Sequence, residues 1–236
     1  DTPSAASYIK TAGTVAPPTQ NANSVEWTVE FWMKATTYKS GVGSGSSGDT
    51  YDWTWDPTAA GSGDYATIWM HKQGSITSIQ KGFGIVVYGD DKYTACGNPA
   101  TTKSIRRLKF SVFLCDGTSA GPKQIVLTAS TASSCAVVEG GWAHFAFSYK
   151  ANAYSDGQGR VRAYVNGTLA GTEQISSTFR PVWSASNETL YVGGDGTNDF
   201  AGGSLDEFIY HQRELGPFEI TNSYNAHHGV YHQSSA

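Results

Sequence analysis

The sequence has few charged side chains, few cysteines and no long apolar run. Charged residues make up 15% of the 236 residues, below the ~25% of an average protein. The net charge is −4, so nothing attracts a phosphate backbone and we expect no nucleic-acid partner. No apolar stretch approaches the ~20 residues of a membrane-spanning helix, so we expect no membrane span.

The three cysteines say little about the compartment. Cys96, Cys115 and Cys135 share no metal-ligand spacing and form no C-x-x-C motif. An odd count allows at most one disulfide. It is an equally good interpretation that the cysteines are unpaired and act as small buried hydrophobic residues. The chain starts at Asp1 without an initiator methionine or a signal-peptide core, which predicts a processed product or an excised domain.

Aromatic residues and strand-like alternation are abundant instead. The 7 Trp, 13 Tyr and 10 Phe supply enough apolar surface for a core, which excludes a disordered chain. Apolar and polar residues alternate with a period of two in short runs separated by turn signals such as Asn166-Gly. The runs cover 25–33, 84–88, 109–114, 124–128, 142–149, 160–166, 189–193 and 204–210. This pattern predicts an all-β, two-sheet antiparallel jelly-roll sandwich.

One segment near the C-terminus has helical periodicity. Pro217 suits the first helical position, and Glu219 suits the first turn. Ile220 and Tyr224 lie four residues apart and therefore on one face of a helix. We predict one short C-terminal helix over 217–225.

The two ends of the chain are weakly patterned. We predict a single domain over 1–236, with an N-terminal arm over 1–20 and a C-terminal tail over 226–236. His227, His228 and His232 could suit a transition metal by spacing. A polar, frayed tail is the favoured interpretation of these histidines.

Six blocks of sequence carry a family resemblance. They are 29–34 (VEFWMK), 82–88 (GFGIVVY), 141–149 (GWAHFAFSY), 160–167 (RVRAYVNG), 190–194 (LYVGG) and 200–210 (FAGGSLDEFIY). In this order they resemble laminin G-like domains of the concanavalin A-like lectin/glucanase superfamily. The resemblance implies a concanavalin A-like jelly roll that binds glycans or proteins, often with calcium. The resemblance also implies a relationship to glucanases, which hydrolyse polysaccharide.

The carboxylates do not form the pair that a glycoside hydrolase needs. Such enzymes place two carboxyl groups about 5–5.5 Å apart, or further for inversion. The nearest approach is Glu26-Trp-Thr-Val-Glu30, which lacks the middle Asp of the glucanase E-x-D-x-x-E strand. Residues four apart on a strand are ~13 Å apart. We predict that Glu26 and Glu30 are solvated, that His144 is structural, and that the chain is not an enzyme.

The resemblance favours a structural calcium on the terminal strand. Asp206 matches an aspartate that often holds calcium in similar jelly rolls. Asp195 and Asp199 bound a nearby Gly-containing loop, and calcium prefers carboxylates and carbonyls from such turns. We predict calcium at Asp206, Asp195 and Asp199, with plain turn chemistry as the alternative for the loop.

A Gly/Ser-rich loop over 40–64 contains the candidate ligand site. It combines aromatic rings, on which a pyranose stacks, with carboxylates that accept hydrogen bonds from hydroxyls. The candidate ligand residues are Tyr51, Asp52, Trp53, Trp55 and Asp56. The alternative is that these rings fold back over one end of the sandwich.

Together these features predict a non-catalytic recognition module. We expect it to bind carbohydrate or to act in adhesion, on a secreted, cell-surface or virion-surface protein. The alternative is a structural decoration or attachment protein of a viral or phage particle, with oligomer or capsid neighbours as partners. A diverged glycoside hydrolase or lyase is the least favoured interpretation.

Overall fold

Eleven strands and one helix make up the described part of the chain in this computed structural model. The described residues are 9–10, 24–35, 66–73, 81–90, 107–114, 123–128, 142–178, 189–193 and 203–231. The strands are β1 (Ile9–Lys10), β2 (Glu26–Ala35), β3 (Ala66–Gln73), β4 (Lys81–Asp90), β5 (Arg107–Leu114), β6 (Lys123–Thr128), β7 (Trp142–Lys150), β8 (Gly159–Val165), β9 (Thr168–Ile175), β10 (Thr189–Val192) and β11 (Gly203–His211). The helix is α1 (Pro217–Tyr231).

The strands form two antiparallel sheets. The six-stranded sheet has the order β1-β10-β3-β4-β5-β6, and the five-stranded sheet has the order β11-β2-β7-β8-β9. Every pair of neighbouring strands in the two sheets is antiparallel. The predicted all-β sandwich with a C-terminal helix is confirmed.

The core lies between the facing sides of the two sheets. Trp27 and Phe31 on β2 are completely buried, as are Phe83 and Ile85 on β4. The Trp27 and Phe83 rings meet edge to face, with their centroids 5.4 Å apart. Burying one such side chain contributes about 1.5–3 kcal/mol, so the alternating apolar residues hold the two sheets together.

Each of the eight predicted runs falls on a strand, but three strands have no sequence signal. These are β1, β3 and β9. β9 contains Gly171 and Glu173, residue types that are depleted in strands. In the described sheet it lies at an edge and pairs with β8. It is therefore held by its hairpin with β8 and not by apolar alternation.

The predicted Asn166-Gly167 turn joins β8 to β9. Asn166 has φ 48° and Gly167 has φ 73°, as the central residues of a two-residue hairpin turn require. The Asn166 amide donates to the His144 carbonyl at 2.8 Å, and the His144 amide donates to Asn166 Oδ1 at 2.9 Å. The turn is thus tied to β7 as well as to its own strands.

Helix α1 begins where predicted and ends later. The Gly216 amide donates to Glu219 Oε2 at 2.9 Å, which caps the first turn ahead of Pro217. The helix continues to Tyr231, so the predicted end at 225 and the predicted tail over 226–231 are wrong. Packing of an inner face that includes the fully buried Ile220 sustains the helix through a polar sequence with little intrinsic preference.

Candidate functional site

Most of the predicted ligand residues lie outside the described part of the chain. These are Tyr51, Asp52, Trp53, Trp55 and Asp56 of the long loop, and Asp195 and Asp199 of the loop before β11. Their assignment to glycan and calcium stays a prediction.

Asp206 is the one predicted metal ligand that the structure places. It is exposed on β11, and its Oδ1 accepts a hydrogen bond from the Glu207 amide at 2.8 Å. Glu207 has φ 47° and sits in a β-bulge between Asp206 and Ile209. Within the described ranges, no group of three His, Cys, Asp or Glu side chains is placed to hold a metal. Calcium takes six to eight oxygens, so the described residues alone do not make up a calcium site.

The outer face of the five-stranded sheet, which points away from the core, is covered. Helix α1 packs on it through Ile220, which clusters with Ala146 of β7, Tyr164 of β8 and Leu215. The segment before the helix is also fixed to this face. Thr28 Oγ1 donates to the Arg213 carbonyl at 2.9 Å and accepts from the Leu215 amide at 2.9 Å.

Burial of this face overturns one sequence prediction. Glu30 is not solvated: its side chain is only 4% exposed. Glu26, on the same face, keeps 29% exposure and pairs with Lys150 at 2.7 Å. The alternation along β2 correctly placed both carboxylates on the outer face, but it could not indicate that a distant helix covers that face.

Two imidazoles flank the buried Glu30 carboxylate. His211 Nε2 of β11 lies 2.9 Å from Glu30 Oε1. His144 Nε2 of β7 lies 3.4 Å from Glu30 Oε2, an electrostatic contact longer than the ~2.9 Å of a good hydrogen bond. We call Glu30, His144 and His211 the Glu30 cluster. The cluster joins three adjacent strands, because β2 lies between β11 and β7.

The Glu30 cluster favours the ionised carboxylate. Burial by itself raises the pKa of Glu30, but the contacts from His144, His211 and Ser223 outweigh it. The net pKa of Glu30 therefore lies below its ordinary value. Because the folded-state pKa is lowered, the contribution of this group to stability is present above its ordinary pKa and is lost as the pH falls further.

Aromatic rings close the Glu30 cluster on the side of the helix. Trp32, 1% exposed, stacks on Tyr224 of α1 with a centroid distance of 5.7 Å. The His144 ring lies 5.4 Å from Trp32 and 6.1 Å from Tyr224. His228 meets Tyr224 edge to face at 5.0 Å. These contacts keep the carboxylate and His144 away from bulk water.

Ion pairs continue along the same face toward β9. Glu214 accepts two hydrogen bonds of 2.8 Å from Arg160 and lies 3.6 Å from Arg162. Arg213 forms a two-pronged pair with Glu219, with distances of 2.6 and 2.9 Å. The carboxylates on this face therefore bind neighbouring cations. The arrangement suits attachment of the helix better than a pair of catalytic carboxylates.

Sequence reasoning did not find the Glu30 cluster. The prediction that His144 is structural agrees with its burial among Trp32, Tyr224 and Glu30. His211 was not singled out at all. The available signal was an acidic residue, Glu30, between the apolar residues Val29 and Phe31 of β2. It could indicate the cluster only once the strand register that brings His144 and His211 beside it was known.

The comparisons with known proteins agree with this fold. Residues 107–221 match a laminin G-like family model described as the Concanavalin A-like lectin/glucanases superfamily, which confirms the resemblance. No curated protein matches the sequence significantly.

Two solved structures illustrate the likeness. One is the binding domain of botulinum neurotoxin DC in complex with SialylT, at 14% identity and a TM-score of 0.51. The other is the receptor binding domain of botulinum neurotoxin D, at 13% identity and a TM-score of 0.51. Each match covers 93% of this chain, which spans only 42% and 41% of the respective toxin chains. At this identity the likeness concerns the fold alone.

Proposed function

We propose that this chain is a non-catalytic recognition module that binds carbohydrate on a secreted or surface-exposed protein. The observation that carries the proposal is the family match over 107–221, on a sandwich with the two sheets of a concanavalin A-like lectin. The helix in the described ranges is neither long nor apolar enough to cross a membrane.

The state of the described carboxylates supports the non-catalytic part. Glu30 is buried between two imidazoles, and Glu26 is paired with Lys150. Side chains four residues apart on one strand are separated by ~13 Å, well beyond the spacing of a retaining pair. A buried, paired carboxylate has no route to a polysaccharide chain.

The covered outer face directs the proposal to the long loop. With Trp32 and Tyr164 buried beneath or beside α1, these aromatic residues cannot offer a stacking surface to a sugar. The loop residues, whose types suit a sugar, are Tyr51, Asp52, Trp53, Trp55 and Asp56. We assign them to the ligand and assign Asp206, Asp195 and Asp199 to a structural calcium that orders the neighbouring loops.

A glycan array read with calcium and with EDTA tests the proposal. Because the similar neurotoxin DC domain is in complex with SialylT, sialylated glycans belong in the array. We expect binding to a defined glycan class. No binding under either condition would overturn the carbohydrate proposal and favour the structural surface protein.

The non-catalytic part needs a separate measurement. We expect no release of reducing ends from common β-glucans. If the wild-type chain hydrolyses a β-glucan and a folded Glu30→Gln variant does not, the non-catalytic part of the proposal is overturned and the glucanase alternative is favoured.

A further inference from the structure

The Glu30 cluster lies where helix α1 meets the five-stranded sheet. Four of the six histidines of the chain lie at this junction: two in the cluster, and His227 and His228 on the helix. Imidazole is the side chain whose ordinary titration, near pH 6.5, falls in the physiological range.

We propose that the Glu30 cluster makes the docking of α1 pH-dependent, so that the helix is bound at neutral pH and released from the sheet in acid. The device is independent of ligand binding by the long loop. It rests on the placement of one buried carboxylate between the buried imidazole of His144 and the partly exposed imidazole of His211.

The charge count within the cluster gives the direction. With both imidazoles neutral, the site carries the single negative charge of Glu30. One added proton forms an ion pair between Glu30 and an imidazolium, which strengthens the contact. A second proton leaves one positive charge with no further counter-ion among the described residues. The side chains of His144 and Glu30 are only 2% and 4% exposed, and that of His211 is 29% exposed. Burying an uncompensated charge is strongly unfavourable, so the docked state is disfavoured.

The hydrogen bonding of His144 points the same way. Its Nδ1 has no hydrogen-bond partner among the described residues. An imidazolium carries a proton on each nitrogen, and an unpaired buried donor costs free energy in addition to the charge. Release of the helix allows water to reach this nitrogen.

The groups that face the cluster from α1 do not supply a second counter-charge. Ser223 and Tyr224 are neutral, and Ser223 donates to Glu30. His228 contacts the Tyr224 ring, and His227 Nδ1 lies 3.1 Å from Glu207 Oε2.

The carboxylates of the neighbouring segments are already engaged. Glu219 binds Arg213, and Glu214 binds Arg160 and Arg162. Glu26 binds Lys150. Asp206 is exposed on β11 and accepts a hydrogen bond from the amide of its neighbour Glu207. Glu219 also interacts electrostatically with His211, but it does so while paired with Arg213.

The released state would expose an apolar surface. Trp32, Ala146 and Tyr164 are each at most 1% exposed in the docked state, and Ile220 covers part of them. Exposure of this face gives a second readout in addition to helix protection.

Hydrogen exchange of the full chain, corrected for intrinsic rates, tests the proposal. We expect the protection of α1 amides to hold or rise slightly from about pH 8 to about pH 6.5, and to fall about tenfold or more by about pH 5. Over the same range β7 and β8 should keep their protection, and binding of a hydrophobic dye should increase. Protection of α1 that is unchanged at acidic pH would overturn the proposal.

Two variants separate the cluster from a general effect of acid. His144→Gln cannot become charged, so α1 should stay protected at about pH 5. The control His228→Gln should still release the helix, because the cluster is intact. Release at the wild-type pH in His144→Gln would overturn the proposal.

If His144→Gln does not fold, Glu30→Gln takes its place. Removal of the only counter-charge that the described residues supply makes the first protonation unfavourable, so release should begin at a higher pH than in the wild type. An unchanged release curve in this variant would overturn the proposal as well.

Discussion

His211 Nε2 lies 2.9 Å from Glu30 Oε1, although 181 residues separate the two in the chain. The contact joins β11 to β2, and His144 approaches the other carboxylate oxygen from β7. One buried carboxylate thus links three adjacent strands beneath α1.

Replacing Glu30 should destabilise the fold far more than replacing its neighbour on the same face. Glu30→Ala removes a buried carboxylate that hydrogen-bonds His211 and faces the buried His144, and we expect a loss of about 3 kcal/mol in the free energy of unfolding at neutral pH. Glu26→Ala breaks a partly exposed pair with Lys150 and should cost about 0–1 kcal/mol. Urea denaturation measures both. Equal, small losses would show that the buried cluster contributes no more than a surface pair.

Two glycines, one in the turn that touches α1 and one exposed within α1, should respond oppositely to alanine. At Gly167, φ is +73° and an added Cβ would lie 3.1 Å from Tyr224 Cβ, so Gly167→Ala should cost about 1–3 kcal/mol. Gly229 lies within α1 with nothing within 4 Å of an added Cβ. Gly229→Ala should therefore stabilise by about 0.5–1 kcal/mol. Thermal unfolding compares the pair, and a stabilising Gly167→Ala would contradict the close approach of turn and helix.

The Glu219 carboxyl should titrate at unusually low pH. Hydrogen bonds from Arg213 and from the Gly216 amide lower the pKa of Glu219 to about 2. Since the folded-state pKa is lowered, the contribution of this pair is present above the ordinary value of 4.5 and is lost as the pH falls toward about 2. NMR titration of the side-chain carboxyl measures this. Arg213→Met should move the pKa of Glu219 back toward its ordinary value, and an ordinary value in the wild type would contradict the pair.

Substitution of the tryptophans in the long loop distinguishes two roles of this loop, a binding surface and a lid over the sandwich. If Trp53 and Trp55 stack on a sugar, each alanine variant should weaken glycan binding by ~1–3 kcal/mol with little change in stability. The matched control is Phe218→Ala, which removes an aromatic ring that is 75% exposed on α1. A loss of ~3–5 kcal/mol in stability in either tryptophan variant would instead identify a packed ring and a lid.

Calcium should raise the melting temperature if Asp206 helps to bind it. A ligand that binds only the folded state stabilises by about 2.7 kcal/mol at a hundredfold excess over Kd. Asp206→Ala should remove the rise, whereas Asp156→Ala, in the turn before β8, should leave it intact. Identical melting temperatures in EDTA and in millimolar calcium would leave Asp206 as an ordinary strand carboxylate.

Local sequence determined eight of the eleven described strands, one turn and the start of the helix. Alternation along β2 placed Trp27 and Phe31 in the core, because a period of two assigns every second residue to one face. Asn166-Gly167 predicted its turn because these residues tolerate positive φ. Pro217 marked the first residue of α1 for a similarly local reason, its fixed φ and missing amide hydrogen.

Tertiary structure decided what covers the outer face and which polar residues meet there. The alternation that buries Trp27 leaves Glu30 on the opposite face, which water or another element can cover equally well. That choice depends on α1, nearly two hundred residues further along the chain, and on the register that aligns His144 and His211 with β2. Such contacts have no local signature, because they arise only after the sheet has assembled and the helix has docked.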